Sequence, residues 1–343
     1  MTKAAELAKM GEVLTNSQIG GRRNIAYNGG MTIWQRGTTT DTIANGGYLC
    51  DRWRIAHAGL DGNVDVDRST DVPSGQGFVY SQKISMDASE TSLDADDQLN
   101  LQQRFEGQDL QQLKKGTSSA EKTTLSFWVK SSVASTYSVN LRDADNTRVI
   151  ASTYVINDAN TWEKKTITFA GDTTGALNKD NGRSLDLTFY MDAGTSFTGG
   201  TFASSWGDAS NNNVRVSATT GWLESTSPEW YITGVQLEVG SVATPFEHRS
   251  FGEELRLCQR YCNALLEYGT GDTDSNRVYN ADYAVANGMV RFAYAKMREK
   301  PDLTYTVANG TISNDFSSNG LVQLMDSGDT NFYIYNIIAE KEL

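Results

Sequence analysis

The sequence predicts a mainly β protein built on an antiparallel jelly-roll β-sandwich, followed by a second, small β domain. Three observations predict it. Apolar residues alternate with period two in several short segments, the mark of half-buried antiparallel strands. Turns rich in Gly, Asn and Asp separate those segments. Helical periodicity is confined to three short stretches, 3–14, 108–116 and 251–266. The chain has 343 residues, 38% hydrophobic and 10% aromatic. That is too aromatic for an acidic disordered chain. It is long enough to bury roughly three quarters of its unfolded surface without disulfide staples, and about two domains are expected at this length.

In KAAELAKMGEVL (3–14), Ala4, Leu7, Met10 and Leu14 recur at three- and four-residue steps, which predicts a short amphipathic helix. Such a helix is marginal alone in water. Leu7, Met10 and Leu14 must therefore dock on this chain, on sister chains or on a larger assembly. Gly20-Gly21 reads as a hinge that closes an N-terminal anchoring unit at 1–22.

The sandwich is expected over 23–250. In LSFWVK, Leu125, Phe127 and Val129 share one face, with Trp128 on the other. YSVNLR repeats the pattern with Tyr137, Val139 and Leu141, KTITF with Ile167 and Phe169, and LDLTFYM with Leu185, Leu187, Phe189 and Met191. In WYITGVQLEV, Trp230 and Ile232 have one parity and Val235, Leu237 and Val239 the other. One extra residue near Thr233-Gly234 restores a single face, so a β-bulge is predicted there. QDLQQLKKG predicts a short helix over one end of the sandwich, with Asp109 as its cap and Gly116 after its end. Residues 193–229 show no strand pattern, yet hold Phe197, Phe202, Trp206 and Trp222. A long connection with that aromatic content reads as functional or anchored.

FGEELRLCQRYCNALL (251–266) predicts a connector helix with Leu255, Cys258, Tyr261 or Cys262, and Leu265 on one stripe. The remainder, 267–343, reads as about five strands: VYNADYAV, MVRFAYAKM, DLTYTV, LVQLM and NFYIYNII, with turns at Asn309-Gly310, Asn319-Gly320 and Ser327-Gly328.

Charge and motif content narrow the function. The formal net charge of −12, with no basic stripe beyond the pairs Arg22-Arg23 and Lys114-Lys115, argues against nucleic acid as a partner. No apolar run reaches transmembrane length and the first residues do not read as a secretory signal, so no membrane insertion is expected. Cys50, Cys258, Cys262, His57 and His248 lack the paired spacing of a zinc site and read as buried thiols and isolated imidazoles. No metal or other cofactor is expected. Nucleophile-elbow, zinc-protease and phosphate-loop motifs are absent, and pairs among 42 acidic residues carry no information about glycoside hydrolysis. A catalytic role is not expected.

Sugar rings present apolar C–H patches and a rim of hydroxyls, so aromatic faces and planar polar side chains recognise them. Trp128 and Tyr190 fall on the face opposite the apolar residues of their strands and are expected to share a surface with Asn140, Arg142 and Asp186. Trp206 and Trp222 in the long connection are further candidates. Trp34, Trp53 and Trp162 read as core or edge packing.

The order SFWVKSS, YSVNLRD, TWEKKTITF, SLDLTF and WYITGVQLEVG resembles the jelly-roll carbohydrate-binding modules of bacterial glycanases. NIAYNGGMTIWQRGTT, YLCDRWRI, ATPFEHRSFGEELRLCQRYC and MREKPDL resemble segments of tail-fibre and related virion proteins of tailed, especially marine, bacteriophages. That resemblance spans nearly the whole chain. It implies a homotrimeric, non-enzymatic virion appendage, assembled in the host cytoplasm, anchored to other virion proteins through the N-terminal helix and attached to host surface glycans. A purely structural decoration or adaptor, and a glycan-degrading tailspike-like enzyme, are the alternatives. Many jelly-roll modules hold calcium through an acidic residue in the final strand. Here Thr233 and Gly234 stand in that setting, which leaves Glu238 as the nearest carboxylate and argues against an ion there.

Overall fold

The computed structural model describes Lys3 and residues 23–265, 289–308, 312–318, 321–326 and 333–343. The expected anchoring stripe of Leu7, Met10 and Leu14, the Gly20-Gly21 hinge, the VYNADYAV segment and the three Gly-containing turns of the C-terminal part lie outside the described residues. By its contacts the chain forms two compact units. The first takes in described residues up to Thr32, Thr40–Gly47 and Trp53–His248; the second takes in Ile33–Thr39, Tyr48–Arg52 and the chain from Arg249.

The strands up to residue 248 are β1 (Thr39–Thr40), β2 (Arg54–Ala58), β3 (Val64–Ser69), β4 (Ser81–Met86), β5 (Gln98–Glu106), β6 (Thr123–Ser131), β7 (Thr136–Asp143), β8 (Arg148–Val155), β9 (Glu163–Phe169), β10 (Arg183–Ala193), β11 (Gly207–Asp208) and β12 (Glu229–Val239). They form two six-stranded sheets, ordered β1-β3-β4-β12-β6-β9 and β11-β8-β7-β10-β5-β2. Every recorded pairing is antiparallel, and chain neighbours such as β4 and β5 fall in different sheets, the jelly-roll pattern.

The inward residues are those the alternation selects. Leu125, Phe127, Val139, Leu187, Phe189, Ile232 and Leu237 are all fully or almost fully buried. Phe127 of the first sheet meets Phe189 of the second edge to face, with centroids 5.0 Å apart, and Trp230 lies 6.2 Å from the same ring. A core of large aromatics thus joins the sheets. The bulge forms as expected: the β12–β6 register slips between Thr233 and Gln236, and Gly234 takes φ +64°. A Cβ on Gly234 would stand 2.5 Å from the Phe78 ring, so glycine serves both the backbone and the space.

The predicted short helix is a 3-10 turn, Gly107–Leu113, which buries Leu110 and Leu113. Its N-cap is Glu106 without a side-chain bond, not Asp109, whose carboxylate instead accepts the Tyr27 hydroxyl. The expected stop matches: Lys114 is left-handed and Gly116 has φ +82°.

In the second unit, helix α1 (Phe251–Gln259) is capped by the Ser250 hydroxyl, which accepts from Glu253 N. It is shorter than the periodicity predicted. Asn263 Nδ2 binds the Gln259 carbonyl, and Cys262–Ala264 becomes strand β13, so Cys258 and Cys262 do not share a helix. Further on come β14 (Met289–Ala293), β15 (Asp302–Ala308), β16 (Ile312–Ser318), β17 (Leu321–Asp326) and β18 (Tyr333–Glu340). They make two three-stranded sheets, β13-β18-β15 and β14-β17-β16. Cys50, Cys258 and Cys262 are buried and form no disulfide. Beside them Arg36 pairs with Asp51, Glu340 and Glu342, and the Arg52 guanidinium lies 3.4 Å from the centroid of the Tyr261 ring. Buried charge here is matched by buried charge.

Candidate functional site

The second sheet turns its apolar residues to the core, so the intervening positions of β2, β5, β7 and β10 share its outer face. Register places Asp186 opposite Arg104 and Arg142, Thr188 opposite Gln102 and Asn140, and Tyr190 opposite Asn100 and Ser138. Arg54 pairs with Gln102 at the sheet edge. Four of the predicted candidates, Asn140, Arg142, Asp186 and Tyr190, therefore stand together on two adjacent strands.

A ladder of amides crosses this face. Asn100 Nδ2 donates to Gln98 Oε1 at 3.0 Å, Gln102 Nε2 to Asn100 Oδ1 at 2.7 Å, and Arg54 Nη1 to Gln102 Oε1 at 3.0 Å. Arg183 binds Asp186 through Nε at 2.7 Å and through Nη2, and Arg142 Nη1 lies 3.5 Å from the same carboxylate. The connection after β10 reaches over one end of the face. Ser217 N donates to Ser138 Oγ at 3.0 Å, and Phe197 and Val216 cluster with Tyr190 and Ala193. Arg215 from this connection, with Asn140, lies against the Tyr190 hydroxyl. Burial pushes that hydroxyl above its ordinary pKa, and Arg215 and Asn140 draw it back. Burial, and then repulsion from Arg215, push the Arg142 guanidinium below its ordinary value, against the pull of Asp186.

The remaining candidates lie elsewhere. Trp128 belongs to β6 of the first sheet, so it shares no surface with Tyr190. Parity gives the face of a strand relative to the core, but not the sheet to which the strand is assigned. Trp222 is fully buried, with its indole aimed at the Glu229 carbonyl; it is a core residue and not a binding one. Trp206 anchors the connection. Its Nε1 donates to Ala170 O at 2.7 Å, and its ring lies 5.1 Å from Lys115 Nζ, itself buried between Asp143 and Asp172. Trp53 is core, as expected.

The outer face of the first sheet carries its own cluster. Lys130 Nζ lies 4.0 Å from the Tyr231 ring centroid and pairs with Asp71. Asp71 also accepts from Trp162 Nε1 at 2.8 Å, and Lys83 pairs with Glu229 at 2.8 Å. Further along, Glu238 accepts from Gln236 Nε2, Thr244 N and Thr244 Oγ1 at 2.7–2.9 Å.

Sequence reasoning missed Arg54, Asn100, Gln102, Arg104, Arg183 and Arg215. β5 reads QLNLQQRFE, and the signal is there in its alternate polar residues. An inward Gln103 hides it by breaking the apolar alternation: it is fully buried and holds Tyr27 through both backbone N and O.

No family model matches the chain, and no curated protein matches it significantly. Solved structures similar to it include the enzymatically active domain of tailspike protein 4 of bacteriophage CBA120, at 15% identity and TM-score 0.31, covering 58% of this chain and 21% of that one. A family 4 carbohydrate-binding module matches at 14% identity and TM-score 0.32, over 62% of this chain and 97% of the module. A family 61 module, solved with β-1,4-galactotriose, matches at 12% identity and TM-score 0.32, over 64% and 99%. The chain thus spans about a fifth of the tailspike structure. At such identities and scores these likenesses carry no activity over to this chain.

Proposed function

We propose that this chain is a non-catalytic glycan-binding protein of a phage virion fibre, which attaches the particle to host surface glycans through the outer face of its second sheet. One observation carries the reading: four adjacent strands carry Arg54, Asn100, Gln102, Asn140, Arg142 and Asp186 on one face, bordered by Tyr190; Arg54, Gln102 and Arg142 are half-buried and reach solvent, while Asn100, Asn140, Asp186 and Tyr190 form its buried floor. Amides, guanidinium groups and a carboxylate offer the planar donors and acceptors that hydroxyl-rich ligands need, and hydrogen bonds fix Arg54, Asn100, Gln102 and Asp186 in place. The virion assignment rests on the tail-fibre-like segments of the sequence, as does assembly into a homotrimer. Three weak sites on one particle hold it where one would not, because later contacts are intramolecular.

A glycan array probed with the full chain tests the reading. Binding to at least one glycan class is expected, weakened about tenfold or more by Gln102→Ala. An array silent for the full chain would overturn glycan binding. A purely structural decoration predicts instead that particles lacking the protein still adsorb to their host; the coverage of Tyr190 by the 194–217 connection favours that second reading.

A further inference from the structure

We infer that the glycan taken by this face is acidic, carrying carboxylate or sulfate groups that the arginines engage. The inference rests on the glycan-binding reading above and deepens it. Five arginines, from positions 54, 104, 142, 183 and 215, come together on or over one sheet face of a chain whose net charge is −12. Among the described residues, carboxylates on this face include Asp186, which Arg183 and Arg142 share, and Glu106, which is the register partner of Arg183. Gln108 Nε2 donates to one oxygen of Glu106. Arg142 and Arg183 thus draw on one carboxylate, in a molecule whose net charge is −12.

Two further observations point to a ligand. The Nε atoms of Arg142 and Arg215 are buried and have no hydrogen-bond partner. A buried donor without a partner is costly, and a guanidinium presents its donors in a planar fork that fits a carboxylate or a sulfate. Arg142 and Arg215 also repel one another. An anion between them would relieve the repulsion and satisfy the donors together. The amide ladder beside them supplies the neutral donors and acceptors that sugar hydroxyls require, which a site for a bare inorganic anion would not need. Recognition of a polymer made of acidic sugars uses both halves of the face.

Calorimetric titration of the full chain would test this with four probes: a uronate oligosaccharide, a sulfated galactan oligosaccharide, a neutral oligosaccharide of the same length, and a single-stranded oligonucleotide of matched charge. At least one acidic sugar is expected to bind about tenfold or more tighter than the neutral one, and whichever acidic sugar binds identifies the anion. Arg215→Gln and Arg142→Gln should each remove most of that preference and leave the unfolding temperature unchanged. Arg142→Lys should recover only part of it, because the charge stays and the fork is lost. Arg215 lies on the connection outside the sheet, so its variant decides the matter should Arg142→Gln fail to fold. Equal or tighter binding of the neutral sugar would overturn the inference and leave glycan binding standing. Unchanged affinity in Arg215→Gln, or an oligonucleotide that binds as tightly as the acidic sugar, would also overturn it. Silence from all three sugars would remove both readings.

Discussion

On the outer face of the first sheet Lys83 pairs with Glu229, and Lys130 lies between Asp71 and the Tyr231 ring. On the outer face of the second sheet Arg142 and Arg215 each keep a buried Nε with no partner, and Asp186 is shared by two guanidinium groups. Both faces arise from the same alternation over a common aromatic core. The first pairs its lysines with neighbouring carboxylates but leaves one buried oxygen of Asp65 without a partner; the second leaves guanidinium donors over. Leftover guanidinium donors suit an acceptor of opposite charge, whereas a leftover carboxylate oxygen set among Asp41, Asp67 and Asp87 repels one.

That contrast can be broken at its floor. Trp230 is fully buried under both sheets. Trp230→Ala is expected to cost about 3–5 kcal/mol through lost burial and the cavity left behind. Thermal unfolding should show a fall of at least about 6 °C, since each kcal/mol moves a unit of this size by roughly 2–4 °C. A shift under a degree would mean that Trp230 does not join the sheets.

Next in size is the bulge that sets the register of the first sheet. Gly234→Ala places a Cβ against Phe78 on a backbone with φ +64°. A loss of about 1–3 kcal/mol is expected, read as a lower urea midpoint at constant slope.

The two faces themselves differ in sign. Lys130→Gln should lower stability by about 1 kcal/mol, since the chain loses a packed cation while Asp71 is half exposed and recovers water. Arg142→Gln should leave stability unchanged or raise it slightly, because it removes a like-charge neighbour of Arg215. Differential scanning calorimetry of the two variants at low and at moderate salt would check this. Equal losses from both would erase the distinction drawn between the faces.

The smallest effect is one of pH. Glu163, at the start of edge strand β9, resists its own desolvation through hydrogen bonds from Lys165, Asp158 N and Asn157, and its pKa falls from 4.5 to about 2. A depressed carboxylate stabilises the fold where it is charged in both states. Its contribution is therefore full above about pH 4.5 and is lost as pH falls towards 2. The unfolding temperatures of the parent and Glu163→Gln should differ at pH 6 and converge near pH 2. A gap that persists at pH 2 would show the effect to be packing and not charge.

The sequence by itself determined the strands, their inward faces and the bulge. Burial acts on every second residue of a strand, so Leu125, Phe127, Leu187 and Phe189 record it within a few positions of one another. It also made Asn140, Arg142, Asp186 and Tyr190 legible as outward residues, since parity within a strand is local information. Only the tertiary structure decided which strands became neighbours. It put Trp128 on one sheet and Tyr190 on the other, sank Trp222 into the core, and ended the helix after Gln259 because β18 offered Cys262 a pairing partner. It also gathered arginines from positions 54 to 215 onto one face of a chain in which no basic stripe can be read. Charge along a chain is an average over neighbours in sequence, whereas the field that a ligand meets is set by neighbours in space.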